Sequence, residues 1–267
     1  MNIRKYCLLK YKLPIWIALI LLCLPLKNSF SESSKIHVLF IGNSLTYVND
    51  LPGRISQLAK TRNIVMEYEM YAPGGYRLYQ HASDPVLSEK IKKGIWDFVV
   101  LQEQSQWPAL EDKRLEAEVY VYAQSLCETI RESNPKAHVV FYMTMAKKDG
   151  DPDNARYIPE VATYEGMQDR INNSYIHMAE QNHGIIAPVG FVWQNVRKDQ
   201  PSIVLYADDK HPNITGSYLA ACVFFEVLFK DSPVGLPHPQ EIDDNTASYL
   251  QKMTEQAIQK QSWDWEQ

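Results

Sequence analysis

Cysteine is scarce in this chain: four residues in 267, two of which, Cys7 and Cys23, lie close to the N-terminus. The remaining Cys127 and Cys222 both fall in helical patterns. A disulfide-stapled small fold is thereby excluded, and two buried free thiols are expected even though an exported compartment would permit pairing. No cluster of Cys and His has zinc-ligand spacing, so no zinc site is expected, and no other metal or organic cofactor is expected either. Basic residues are not in excess: 27 Lys and Arg stand against 32 Asp and Glu, a formal net charge of −5, which leaves no footprint for nucleic acid. Linkers, low-complexity tracts and internal repeats are absent from residues 32–267. These are read as a single domain, long enough to bury a core without staples. Long hydrophobic runs are missing too, apart from Ile15 to Leu24, bracketed by Pro14 and Pro25.

That run follows Arg4, Lys5, Lys10 and Lys12 and precedes the small residues Ser29 and Ser31. A basic start, a short apolar stretch and small residues fit a secretory signal over residues 1–31, making the protein periplasmic or secreted. The run is short for a membrane span and Pro25 stops it from extending, so an uncleaved segment is the one route to a membrane anchor. Cys23 would suit lipid attachment, but Leu22 stands where a small residue is expected.

The stretch that organises the rest is Phe40-Ile41-Gly42-Asn43-Ser44-Leu45-Thr46. His37 to Ile41 is apolar, β-branched-rich and too short for a helix, so it reads as a buried strand. Gly42 breaks it, and the apolar-periodic Leu51 to Leu58 follows. Ser44 therefore sits on a strand–turn–helix, at the sheet edge where open α/β folds collect ligands and near helix N–H groups that favour negative charge. The plainer role for a serine there is a helix cap. Far downstream, Asp208-Asp209-Lys210-His211-Pro212 precedes the helical pattern Gly216 to Phe229. D-x-x-H lets a short turn bring a carboxylate to imidazole Nδ1, leaving Nε2 free to take a serine proton.

The pair, Gly42-Asn43-Ser44 after the first strand and Asp208-x-x-His211-Pro212 before the last long helices, resembles the SGNH (GDSL-like) hydrolase superfamily. The resemblance spans roughly Ile36 to Lys230, and the wording G-N-S-L-T, L-Q-E-Q-S and D-D-K-H-P looks like a branch found in bacterial exported proteins. Asn43 replaces the Asp of G-D-S, a change the family tolerates. Further apolar runs at Ile64 to Tyr71, Phe98 to Leu101, Val139 to Met145 and Gly184 to Val189 alternate with helical patterns at Pro85 to Lys93, Lys113 to Glu132 and Pro159 to Gln181. Asp243 to Gln261 is the last. Alternation predicts a parallel sheet covered on both faces. The expectation is a three-layer α/β/α sandwich with a flavodoxin-like, five-stranded parallel sheet, and the resemblance implies the same.

The resemblance implies a Ser44–His211–Asp208 triad and an oxyanion hole formed by backbone N–H groups of Ser44 and of a glycine after the second strand. In Tyr71-Ala72-Pro73-Gly74-Gly75-Tyr76 that glycine is Gly75, with Gly74 second; from the residues alone, this is an ordinary glycine turn. The family's third donor is the Asn of Gly-x-Asn-Asp. Here Leu101-Gln102-Glu103-Gln104-Ser105 has neither that Asn nor the Gly. A glutamine amide offers the same N–H donor on a longer stem, so Gln104 ranks first and Gln102 second, on one face of a continuing strand; Glu103, facing the other way, is an auxiliary carboxylate or solvated surface. His37, His81, His138, His177, His183 and His238 lack a partnered motif and are read as structural or exposed. Trp107 and Trp193 could line a pocket, with packing the plainer role. Asn172-Asn173-Ser174 and Asn213-Ile214-Thr215 match short glycosylation patterns. The function implied is hydrolysis of acyl esters, short-chain ones such as O-acetyl groups on carbohydrate. The alternative is a non-catalytic glycan-binding or scaffold protein on the same fold, favoured by the missing G-x-N-D.

Overall fold

A computed structural model of the chain describes residues 35–260 and 262–264; the expected signal segment lies outside them. Five strands form one sheet: β1 (Lys35–Ile41), β2 (Val65–Tyr71), β3 (Phe98–Leu101), β4 (His138–Tyr142) and β5 (Ile185–Ala187). All neighbours are parallel, in the order β2-β1-β3-β4-β5. Continuous apolar runs go to the centre, because a parallel strand is covered on both faces. Val38 to Ile41, Val99, Val100 and Val139 to Tyr142 are fully buried. β2 sits at the edge, with Met66 turned in while Val65, Tyr68 and Met70 remain exposed.

Helices cover both faces. Leu51–Lys60, Ile214–Phe229 and Asp244–Gln259 pack together on one side; Pro85–Lys92, Val121–Ser133 and Tyr164–Gln181 pack on the other. Ile214–Phe229 is apolar almost all round and is accordingly the most buried. Its Phe224 meets Phe40 and Tyr142 edge-on, with ring centroids 6.0 and 5.0 Å apart. The expected sandwich and sheet are present. Element ends shift where local chemistry decides. Thr163 caps Tyr164–Gln181 through Gly166 N–H, separating that helix from a short 3-10 turn at Pro159–Ala162. A π turn at Glu116–Tyr120 interrupts the helical run that begins at Asp112. Helix Val189–Asp199 was not legible in the pattern, and the run into Val189 is cut short at Ala187. Cys127 and Cys222 are buried free thiols, which burial pushes up to about 12.

One glycine ties this packing to the site. A Cβ on Gly216, in the first turn of Ile214–Phe229, would collide with the Leu205 carbonyl and the Trp193 ring. Alanine in a free helix is favoured by about 1 kcal/mol over glycine, whereas overpacking costs about 1–3 kcal/mol. Gly216→Ala is therefore expected to lower the urea midpoint; a raised midpoint would show that the loop before this helix yields freely.

Candidate active site

The turn that carries Ser44 is built by close approach. A Cβ on Gly42 would collide with Thr46 Oγ1 and Gln102 Oε1, so only glycine fits between β1 and the turn. Asn43, not Ser44, is the cap: its Oδ1 accepts from Leu45 N–H at 3.2 Å while its Nδ2 donates to the Tyr76 carbonyl at 2.8 Å. Ser44 begins helix Ser44–Tyr47 with its hydroxyl uncommitted to the helix. Next, Asn49 takes a left-handed φ of 56°, which Asn tolerates better than most residues. Its amide donates to the Pro212 carbonyl at 3.0 Å and to Ser217 Oγ at 2.9 Å, joining the nucleophile segment to the turn that carries His211.

That second turn is a small hairpin. Ala207 N–H donates to the His211 carbonyl and Asn213 N–H to the Leu205 carbonyl, both at 2.9 Å. Asn213 caps the long helix through Gly216 N–H, and Lys148 N–H holds the Asp209 carbonyl at 2.7 Å. Asp208 Oδ1 accepts from the N–H groups of Lys210 and His211 at 2.8 and 2.7 Å, leaving Oδ2 for His211 Nδ1 at 2.8 Å. His211 Nε2 lies 2.9 Å from Ser44 Oγ, across 167 residues of sequence. Burial pulls the Asp208 carboxyl upward, but the His211 and Lys210 N–H groups and then the imidazole outweigh it and hold the acid well below the usual carboxylate range. An ionised Asp208 keeps the proton on Nδ1, so Nε2 is the acceptor facing the serine. Among the described residues no group of three or more His, Cys, Asp or Glu could hold a metal ion.

The N–H groups of Ser44 and Gly75, the expected oxyanion donors, make no hydrogen bond within the described residues. Gly75 has φ 72°, a left-handed conformation that favours glycine, in an exposed loop beside exposed Gly74. Gln102 is not available as a donor there, a correction to the expected pair. Fully buried, it accepts from Asn43 N–H (2.8 Å) and Thr46 Oγ1 (2.9 Å), and its amide donates to the Glu103 carbonyl. The physical reason is that β3 ends at Leu101, so strict side-chain alternation does not extend to residues 102–104. Gln104 is half-buried and its amide donates to Gln106 Oε1 at 2.9 Å, leaving a second N–H.

Glu103 is neither solvated nor facing outward. Its carboxyl accepts from Gln104 N–H at 2.6 Å and from Leu78 N–H at 3.3 Å, joining the Gly75 loop's far end to the Gln104 loop. Burial pushes it up to about 8, against the pull of Gln104 N–H, the Arg77 guanidinium and Leu78 N–H. His81, read from the sequence as structural or exposed, is buried with Nε2 2.8 Å from the Gly42 carbonyl. Neither residue has a sequence signal beyond being a titratable group near a motif. Trp193 packs in the core, edge-on to Tyr206. Trp107 lies between the guanidinium groups of Arg77 and Arg114, 3.0 and 4.9 Å from its ring centroid. His37 and His238 pair with surface carboxylates, and His177 stacks on Tyr120. Both glycosylation patterns are engaged in structure: Ser174 is buried and Asn213 is a helix cap.

The raised Glu103 group carries a stability prediction. The folded state keeps a proton that an unfolded glutamate releases near 4.5, so this contribution is complete below about pH 4.5 and is lost as pH rises through about 8. Glu103→Gln keeps an oxygen for both N–H groups but cannot ionise. Its melting temperature should fall less than the wild type's between pH 5 and 8, the remaining slope including Glu226, which burial and then Glu255 push up to about 7. Parallel slopes in the two proteins would mean that Glu103 is already ionised at pH 5.

No protein-family model matches the sequence, and no curated protein matches it. Solved structures do. A DUF4886 family protein from Bacteroides uniformis is 20% identical with TM-score 0.70, covering 85% of this chain and 95% of its own. A candidate SGNH hydrolase from Slackia heliotrinireducens is 26% identical with TM-score 0.60, covering 73% of this chain and all of its own. The acetyl-xylooligosaccharide esterase Axe2 of Geobacillus stearothermophilus, in the form of a single-residue variant, is 16% identical with TM-score 0.52, covering 73% and 95%. The neighbours named for an activity are esterase-type hydrolases and their relatives, which supports that general class. With the Gly-Asn-Ser turn after β1, the Asp-x-x-His turn before the last long helices and the sheet order in between, the structure bears out the resemblance to the SGNH/GDSL-like hydrolase superfamily, whose fold this chain has.

Proposed function

We propose that this protein is a serine ester hydrolase that removes short acyl groups, acetyl above all, from carbohydrate hydroxyls. One observation carries the reading: Ser44 Oγ, His211 and Asp208 form a continuous hydrogen-bonded line at 2.9 and 2.8 Å, assembled from opposite ends of the domain. Ser44 Oγ attacks the ester carbonyl carbon while its proton passes to His211 Nε2. The N–H groups of Ser44 and Gly75, with the Gln104 amide, take the developing oxyanion. Collapse breaks the carbon–oxygen bond to the sugar, and His211 returns the proton to the departing alcohol. Water, deprotonated by His211, then releases the acid and restores Ser44. Asp208 stays ionised throughout and steadies the imidazolium.

The substrate class is supported by the acetylxylan esterases among the proteins of this fold and by Tyr47, an exposed ring one helical turn from Ser44 and beside Gly74. Aromatic rings with an apolar face and a polar edge suit sugar surfaces. Export through residues 1–31 is part of the same reading and is consistent with a polymeric substrate. The non-catalytic alternative has the missing Gly-x-Asn-Asp in its favour, and the aligned Ser44–His211–Asp208 line against it.

Hydrolysis of p-nitrophenyl acetate and of acetylated xylooligosaccharides tests the reading. Ser44→Ala or His211→Ala is expected to lower kcat by about 10⁴-fold or more with an unchanged melting temperature. A wild type no faster than Ser44→Ala on both substrates would transfer the fold to the non-catalytic class. Gln104→Ala is expected to lower kcat about a hundredfold, the usual cost of one oxyanion donor. An unslowed Gln104→Ala would leave a hole of two backbone donors.

A further inference from the structure

A single peptide unit next to the nucleophile is gripped from both sides. Its carbonyl, that of Gly42, receives a hydrogen bond from His81 Nε2 at 2.8 Å, and its N–H, that of Asn43, donates to Gln102 Oε1 at 2.8 Å. A peptide group is planar, so fixing its two polar ends fixes the plane. The arms come from different parts of the sheet. Gln102 stands at the end of β3, held by Gln102 N–H on the Ile41 carbonyl, while His81 belongs to helix Leu78–Ala82, which follows the Gly75 loop after β2. Both side chains are buried, at 1% exposure for His81 and 0% for Gln102. Asn43 adds a third hold through its amide on the Tyr76 carbonyl. The next N–H along the chain is that of Ser44, separated from this plane only by the two dihedrals of Asn43, whose side chain is itself tied to the Tyr76 carbonyl and to Leu45 N–H, so holding the plane helps set where that donor points.

We propose that His81 is a positioning residue of the hydrolase, clamping the Gly42–Asn43 peptide with Gln102 so that the Ser44 N–H is aimed at the oxyanion. The proposal rests on the ester-hydrolase reading above. His81 touches neither Ser44 Oγ nor the space where substrate reacts. Donation from Nε2 requires a proton there, which the neutral tautomer bare at Nδ1 supplies, and Nδ1 has no hydrogen-bond partner among the described residues. Its surroundings enforce that state: Tyr71 and Tyr76 flank the ring at centroid distances of 6.0 and 5.3 Å. Burial lowers the imidazole to about 4, against the raising pull of the Gly42 carbonyl and Asp84, so it stays neutral wherever the hydrolase works. Two histidines then divide the work: half-buried His211 moves the proton, and fully buried His81 stays neutral near neutral pH.

The test compares His81→Phe, which keeps a ring without a donor, with His81→Gln, whose amide nitrogen can occupy the place of Nε2. Both are made in the full chain and assayed with p-nitrophenyl acetate, with kcat corrected for the folded fraction. Misaiming one oxyanion donor predicts a kcat loss of about a hundredfold in His81→Phe. KM should be nearly unchanged, and His81→Gln should recover about tenfold of that loss. Should His81→Phe fail to fold, His81→Asn takes its place, because its shorter amide falls short of the Gly42 carbonyl. Wild-type kcat in His81→Phe, or no recovery in His81→Gln over the donorless variant at matched folded fraction, would overturn the proposal. A Ser44→Ala control as active as wild type would instead identify the ester-hydrolase reading as the part that failed.

Discussion

The site depends on the parallel pairing of β1 with β3, carried one step past the strands by Gln102 N–H on the Ile41 carbonyl. In this sheet order the chain runs one way from β1 to β2 and the other way from β1 to β3, so loops leave the sheet on either side of β1's end. That is the switch point where such sheets hold ligands. The Gly75 loop arrives from the β2 side and the Gln102–Gln104 segment from the β3 side. Both fasten to the nucleophile turn between them: Asn43 to Tyr76, Gly42 to His81, Asn43 and Thr46 to Gln102. Glu103 then ties the two flanking segments to each other. Room for this convergence comes from the missing Cβ of Gly42.

Two carboxyl groups near this point are driven in opposite directions by their surroundings. Asp208 is half exposed, with its own turn's N–H groups aimed at it, and stays ionised. Glu103 is sealed from water with too few donors to sustain a charge, and it favours the neutral form. The division is sensible electrostatically. Under the proposed mechanism, a negative charge beside the Gly75 and Gln104 loops would oppose the charge that develops on the substrate, whereas a negative charge behind His211 would stabilise the imidazolium formed in the same step.

Much of this was legible in the chain, and the parts that were not share a cause. Strand–turn–helix around Ser44 could be read because Val38 to Ile41 and Leu51 to Leu58 have different periods on either side of Gly42. D-x-x-H could be read because its geometry is local, needing only the four residues of one turn. Local rules misled where they were carried past an element's end: alternation put Gln102 and Gln104 together on one face, but β3 stops at Leu101. The capping preference assigned to serine belongs here to Asn43, because a side chain that also bridges to Tyr76 holds the turn at two points. His81 and Asn49 could not be found at all. Their partners, Gly42 and Pro212, lie 39 and 163 residues away and are backbone carbonyls, which leave no mark in a sequence pattern.

The departure from Gly-x-Asn-Asp takes on a physical meaning in this light. A short asparagine on a glycine-opened loop can reach the oxyanion directly. In Gln102-Glu103-Gln104 the first glutamine is drawn under the Ser44 turn, and the glutamate beside it is buried. The segment has become a support for the turn as much as a wall of the pocket. Gln104, whose amide is anchored on Gln106, is left as the glutamine of the pair with a spare N–H. Gln102 is buried and hydrogen-bonded to the turn that carries Ser44, and Glu103 is buried and hydrogen-bonded to Gln104 and Leu78, so the polar groups of this segment have partners that offset their desolvation.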